Sequence, residues 1–196
     1  MRKVIVHADD FGSSVHFNNA IIKAHKEGFL TSTAVITNGK AFESGINRLK
    51  KECPEIGVGV HLNLVEGSSE LATKENFFKI YKDSLYNLSF IKILLFSFNK
   101  KFLKQVELEF RNQIETAQEH IKIDHLNSHQ HCAAIPKVFE ICCRLASEYG
   151  IEGIRVPREK IILTEQVFKY FRLTFHINII KFLILSLFSI FNRSSL

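Results

Sequence analysis

Short β-branched apolar runs alternate with stretches of helical periodicity along most of this chain, and that alternation leaves few folds open. Residues 3–8 (Lys-Val-Ile-Val-His-Ala) form the first such run, which stops at Asp9-Asp10. Gly12-Ser13-Ser14 supplies a turn and N-cap candidates, so a helix is expected to about Glu27, closed by Gly28. Further strands are expected near 32–37, 56–62, 123–127 and 153–156. Helices are expected near 41–51, 101–120 and 136–149, the last opening on Pro136. In the 101–120 segment Leu103, Val106, Phe110, Ile114 and Ala117 recur at three- and four-residue steps, an amphipathic stripe. Strand-helix alternation at this spacing predicts βαβ units and a parallel sheet.

Polar residues gather where the expected strands end. Asp9 and Asp10 close the first, His61 the third, and the run from His125 to His131 the fourth. In parallel α/β architectures the βα loops converge at that edge, which is where active sites are built. Adjacent aspartates after a strand also serve as turn and capping residues. Three histidines within seven residues (His125, His129, His131) are harder to read as structural. Two imidazoles and a carboxylate form a common divalent-metal set with open positions for water and substrate. Asp10, His61 and His125 would fill it, one from each strand, leaving Asp9 as general base. A carboxylate base beside a metal suits hydrolysis of amides or esters. No Gly-rich phosphate loop and no Gly-x-Ser-x-Gly elbow occur, so serine-nucleophile chemistry has no support.

Composition narrows the remaining classes. With 46% hydrophobic and 23% charged residues among 196, the chain is expected to be globular and large enough for a sizeable core. The net charge of +6 comes from interleaved acids and bases, without a basic run carrying aromatics, so a nucleic-acid partner is not expected. Four cysteines (Cys53, Cys132, Cys142, Cys143) lack paired metal spacing and read as reduced structural thiols. The N-terminus has no long apolar region of the secretory kind, and a cytoplasmic location is expected.

The tail differs from the rest. Between Leu173 and Phe191, 13 of 19 residues are apolar, and Thr174, Asn178, Lys181, Ser189 and Asn192 fall on one side of a helical wheel. Three readings stand: an amphipathic helix packed on the sheet, an interfacial membrane helix, and a true span, which mid-segment Lys181 disfavours. Residues 1–160 are read as one α/β domain, and 161–196 as its helical tail.

Several motifs, in order, resemble the YdjC-like carbohydrate deacetylases. They are Ala8-Asp9-Asp10-Phe11-Gly12, Gly28-Phe29-Leu30-Thr31-Ser32, Gly57-Val58-Gly59-Val60-His61-Leu62, His125-Leu126-Asn127-Ser128-His129-Gln130-His131 and Ile154-Arg155-Val156-Pro157-Arg158-Glu159. The wording of 61–67 and 156–159 is closest to the branch associated with hopanoid biosynthesis. The resemblance implies a (β/α) barrel-like, TIM-barrel-related fold and a metal-dependent N-deacetylase acting on N-acetylated sugars such as chitooligosaccharides, or on a glycolipid. It carries the metal ligands onto Asp10, His61 and His125 and the base onto Asp9. His129 and His131 would orient ligands or contact substrate, and Arg155 would contact substrate or an acidic neighbour. Members are usually described with Mg²⁺; two imidazoles equally suit Zn²⁺ or Mn²⁺. About five strands are legible where a closed barrel needs about seven or eight, and the family's late His-Pro-Gly-type segment has no counterpart. The barrel is therefore expected to be incomplete at its C-terminal side: either the chain is a truncated product or fragment, or the tail helix or a homo-oligomer partner covers the gap. Peripheral membrane contact through 173–191 is a separate expectation. The competing expectation is a catalytically impaired remnant that keeps the fold and binds metal or sugar.

Overall fold

The computed structural model describes residues 4–65 and 88–156, together with 184 and 186–188. Five strands, β1 (His7–Phe11), β2 (Ser32–Val35), β3 (Gly57–Leu62), β4 (His125–Ser128) and β5 (Gly153–Ile154), form one parallel sheet in the order β1-β2-β3-β4-β5. Among the described residues the α-helices α1 (Val15–Glu27), α2 (Phe42–Glu52), α3 (Phe90–Phe96), α4 (Lys100–Gln118) and α5 (Pro136–Glu148) accompany them, with a 3-10 helix at His129–Ala134. Each strand pairs with its predecessor in sequence, so the strand order has no reversal point. That is the winding of a (β/α) barrel rather than of a doubly wound sheet, and it matches the expected barrel-like α/β class. The register runs Ser32–Gly57 and Thr33–Val58 between β2 and β3, then Gly59–His125 and His61–Asn127 between β3 and β4.

Local chemistry explains the elements. Ser14 caps α1 through its hydroxyl, which accepts from the Phe17 amide, and Asn99 caps α4 by accepting from Lys101 and Phe102. Pro136 occupies the first turn of α5, where a missing N–H costs nothing. On α4 the buried stripe is Phe102, Val106, Phe110, Ile114 and Ala117; Leu103, expected in it, packs only partly buried at its edge. Phe11, Phe42, Phe102, Phe110 and Phe139 are fully buried, each contributing about 1.5–3 kcal/mol of transfer free energy. Ile184 and Phe188, helical and one turn apart, also pack on this core. The four cysteines form no disulfide among the described residues, and three of them are buried. Residues 66–87, most of the tail and the Pro157-Arg158-Glu159 part of the last motif lie outside the described residues. Among those described, no helix is long and apolar enough to cross a membrane.

One boundary differs from expectation in a way that matters. The first strand starts at His7, not at residue 3, and runs through both aspartates to Phe11. Val4 and Ile5 are each 77% exposed, and Val6 joins β2 only through Thr31 and Ser32. At the other end Asp10 takes φ +68 and the pairing register shifts between Ala8 and Phe11, so a bulge turns the carboxylates toward the sheet's edge. Gly12 follows at φ +97, where an added Cβ would lie 2.6 Å from the Ile36 carbonyl oxygen. Buried Asn18 of α1 staples this loop: its Oδ1 accepts from the Gly12 amide at 2.7 Å and its Nδ2 donates to the Ala41 carbonyl at 2.9 Å. Asn18→Ala should therefore lower the unfolding free energy by about 1–3 kcal/mol, read by urea titration, because the buried Gly12 amide loses its acceptor, while the Ala41 carbonyl keeps its bonds from Gly45 and Ser44.

Candidate active site

Side chains alternate across a strand, so every second residue of β1, β3 and β4 meets the same space. His7 and Asp9 come from β1, Gly59 and His61 from β3, and His125 and Asn127 from β4, with Arg155 just past β5. They sort into two levels. At the upper level Asp9, His61 and Asn127 interlock with Asp10 and His129. At the lower level His7 meets His125 edge-on, with ring centroids 5.1 Å apart.

Asp9 is held from three sides. Its Oδ1 accepts from His7 Nε2 at 2.9 Å and from Asn127 Nδ2 at 2.8 Å, and its Oδ2 accepts from Arg155 at 2.8 Å. Burial pushes its carboxyl up. The hydrogen bonds from His7 and Arg155, with the charges of His61 and Arg155, outweigh that and hold it well below the usual carboxylate range. Asp9 is therefore ionised and accepts only, which fixes the Asn127 amide: its NH₂ faces Asp9 and its carbonyl oxygen faces His61. His61 Nδ1 donates to that oxygen at 2.5 Å, leaving Nε2 as a free lone pair, 3.4 Å from Asp10 Oδ1. Burial of His61 pulls its pKa down and favours the neutral ring. A ring oriented through its far nitrogen is the arrangement found around metal-binding imidazoles.

Asp10 Oδ1 accepts from His129 Nδ1 at 3.2 Å, and this bond holds the Asp10 carboxyl below its usual range against the effect of burial. The rings of His61 and His129 stand edge-on with centroids 5.4 Å apart. One ligand atom from each of Asp10, His61 and His129 lies within 4.8 Å of the others. A carboxylate oxygen and two imidazole nitrogens at that spacing fit a divalent cation and leave coordination positions open.

The third member of this trio is His129, not His125. Two strand residues rise about 6–7 Å, so His125 sits a full level below Asn127. Its Nδ1 pairs with Asp124, and its Nε2 is buried without a partner among the described residues. That nitrogen lies over Gly59, where an added Cβ would be 2.3 Å away. With the proton on Nδ1 facing a carboxylate, a bare Nε2 against a glycine Cα is tolerable, and burial lowers the His125 pKa accordingly. His131 lies two residues beyond His129 and does not join the trio. Gln130 and His131 take φ +51 and +60; with Asp10 they are the non-glycine residues in the left-handed region among those described. Strain of this kind, about 1–3 kcal/mol per residue, accompanies sites whose surroundings over-determine the backbone. Beneath the rim, at the N-terminal side of the strands, a cavity of about 720 Å³ is lined by His7, Ser32, Asp124, His125 and Arg155 among others. It lies away from the Asp10–His61–His129 trio.

Sequence reasoning read His7 as a structural or surface residue and gave Ser32 and Asn127 no role in the site. The period-2 pattern backwards from His129 and from Asp9 is the signal that would have found Asn127 and His7.

Known proteins resemble this chain along most of its length. The family model described as YdjC-like protein matches residues 3–181. A carbohydrate deacetylase of Brevibacillus brevis is 35% identical over 162 residues, covering 79% of this chain and 59% of that protein. A carbohydrate deacetylase of Clostridium beijerinckii is 33% identical over 150 residues, covering 76% and 58%. A solved structure from Enterococcus faecalis V583, of a protein whose suggested role is cellobiose-phosphate cleavage, superposes with a TM-score of 0.67 at 25% identity, covering 79% of this chain and 59% of that one. The chain thus spans about three fifths of the length of these relatives, and none of them bears on the hopanoid-associated branch. Matched along most of its length by the family model and sharing a third of its aligned residues with two curated members, this chain belongs to the YdjC-like protein family.

Proposed function

We propose that this site hydrolyses the acetamido group of an N-acetylated sugar, with Asp9 as general base and Asp10, His61 and His129 holding a divalent metal. The observation behind the reading is the pairing of an ionised, triply anchored carboxylate with a carboxylate–imidazole–imidazole trio beside it. The carbohydrate deacetylases among its relatives support sugar as the substrate class. A metal held by the trio would supply Lewis-acid polarisation of the acetyl carbonyl and acidify water near neutral pH.

The chain's own residues account for the rest. A carboxylate held as low as Asp9 is ionised at every working pH but is a weak base, so it needs an acidified water to deprotonate efficiently. Arg155 on Oδ2 and the His7 and Asn127 donors on Oδ1 fix where that oxygen accepts the proton. Asn127 ties the base to the trio, since its amide bonds Asp9 at one end and His61 at the other. The donor set of two imidazoles and a carboxylate suits Zn²⁺ or Mn²⁺ as well as the Mg²⁺ that the resemblance implies.

The test is acetate release from N,N'-diacetylchitobiose by the purified chain with Mg²⁺, Zn²⁺, Mn²⁺ or EDTA. Metal-dependent release is expected, and its absence from folded, metal-loaded protein overturns the reading for this chain. Asp9→Asn should lower turnover by about 10²- to 10⁴-fold while metal stoichiometry stays near that of the parent. Asp10→Ala, His61→Ala and His129→Ala should each lose bound metal in elemental analysis after dialysis. His125→Ala should keep it; the reverse pattern between His125 and His129 would restore the assignment read from sequence.

A further inference from the structure

His7 precedes the Asp9-Asp10 pair, lies outside the metal trio and touches no part of it. Its ring is nonetheless pinned on three sides. Nε2 lies 2.9 Å from Asp9 Oδ1, Nδ1 lies 2.9 Å from Ser32 Oγ, and one face meets the edge of His125. The side chain is 15% exposed and Ser32 is buried. A carboxylate accepts only, so the His7 nitrogen facing Asp9 carries a proton. In the neutral ring the other nitrogen must then be an acceptor, and the group facing it among the described residues is the Ser32 hydroxyl, which can rotate its proton toward it. Asn127 Nδ2 lies 3.2 Å from His7 Nε2 and donates to the same Asp9 oxygen, so it does not compete for that proton. The seat itself is prepared by β3 and β4: Gly59 makes room for the His125 ring, against which His7 stands.

We infer that His7 is a positioning residue for Asp9, that the Ser32 hydroxyl selects its Nε2–H tautomer, and that His125 serves as the buttress of this pair. Ser32 donates to His7, His7 donates to Asp9, and the Asp9 oxygen is thereby aimed. Arg155 alone would leave Oδ1 to Asn127, a single donor on a rotatable carboxylate. The second donor fixes the carboxylate plane. The inference rests on the general-base reading of Asp9, and its experiment separates the two.

The experiment compares the parent chain with His7→Phe, His7→Gln, Ser32→Ala and Asp9→Asn in metal-loaded form on N,N'-diacetylchitobiose. His7→Phe keeps the ring's bulk without a donor and should lower kcat by about 10- to 100-fold, the loss of one charge-assisted hydrogen bond, with KM and metal stoichiometry little changed. His7→Gln places an amide N–H near the former Nε2 and should recover most of that loss. Ser32→Ala should cost less than His7→Phe. A second readout is independent of turnover: long-range ¹H–¹⁵N correlation of the histidine rings at pH 8 should show His7 as the Nε2–H tautomer in the parent, and a mixture in Ser32→Ala. Full kcat in His7→Phe beside a dead Asp9→Asn overturns the positioning role and leaves the base intact. A His7 ring protonated at Nδ1 alone overturns the relay. A parent chain that releases no acetate, yet shows the Nε2–H tautomer lost on Ser32→Ala, overturns the deacetylase reading and upholds the hydrogen-bonded chain from Ser32 to Asp9.

Discussion

A charged carboxylate half-buried at a strand end survives only if donors surround it, and satisfying Asp9 organises the interior of this sheet. Three elements besides its own meet there: Asn127 from β4, Arg155 after β5 and, through His7, Ser32 from β2. Because Asp9 can only accept, the orientation of every neighbouring dipole follows. Asn127 must turn its NH₂ inward, His61 must then donate from Nδ1, and the lone pair of His61 must face Asp10. The ionisation of Asp9 thus sets the tautomer of His61, one member of the trio that could hold a metal.

The backbone serves the same end. Successive βα units lay the strands side by side in chain order, so the inward positions of all five meet around one axis. Glycine at 59 trades a side chain for space, letting an imidazole from the next strand lie across it. Left-handed conformations at Asp10, Gln130 and His131 bend the chain just where regular strand or helix would carry the side chains away. Those positions are strained on both sides of the site, while the helices behind them bury an unbroken apolar core that can hold the strain in place.

Much of this was legible in advance. Alternating β-branched runs and helical stripes, with Ser14 and Pro136 as helix starts, place most of the described elements within a few residues. Asp9, Asp10 and His61 were singled out because they end expected strands, Arg155 through the family resemblance, and all four meet at the site. The reading went astray where residues in one motif lie at different heights. His125, at the start of β4, and His129, beyond its end, look interchangeable along the chain, yet four residues of extended chain separate them by more than a side chain's reach. The first strand was set too early for a related reason: Val4 and Ile5 are β-branched but have no β2 partner in the ladder, and propensity without pairing does not make a strand.

The sequence by itself therefore determined the fold class, the order of the strands and the chemical character of the rim, because those depend on periodicity and on residue type. Which histidine stands beside Asp10, which side chains anchor Asp9, and which nitrogen of each ring carries the proton were decided only by tertiary structure. Those choices depend on strand register, a bulge at Asp10 and the absence of a side chain at Gly59. They are relations between segments far apart in the chain, and no local pattern encodes them.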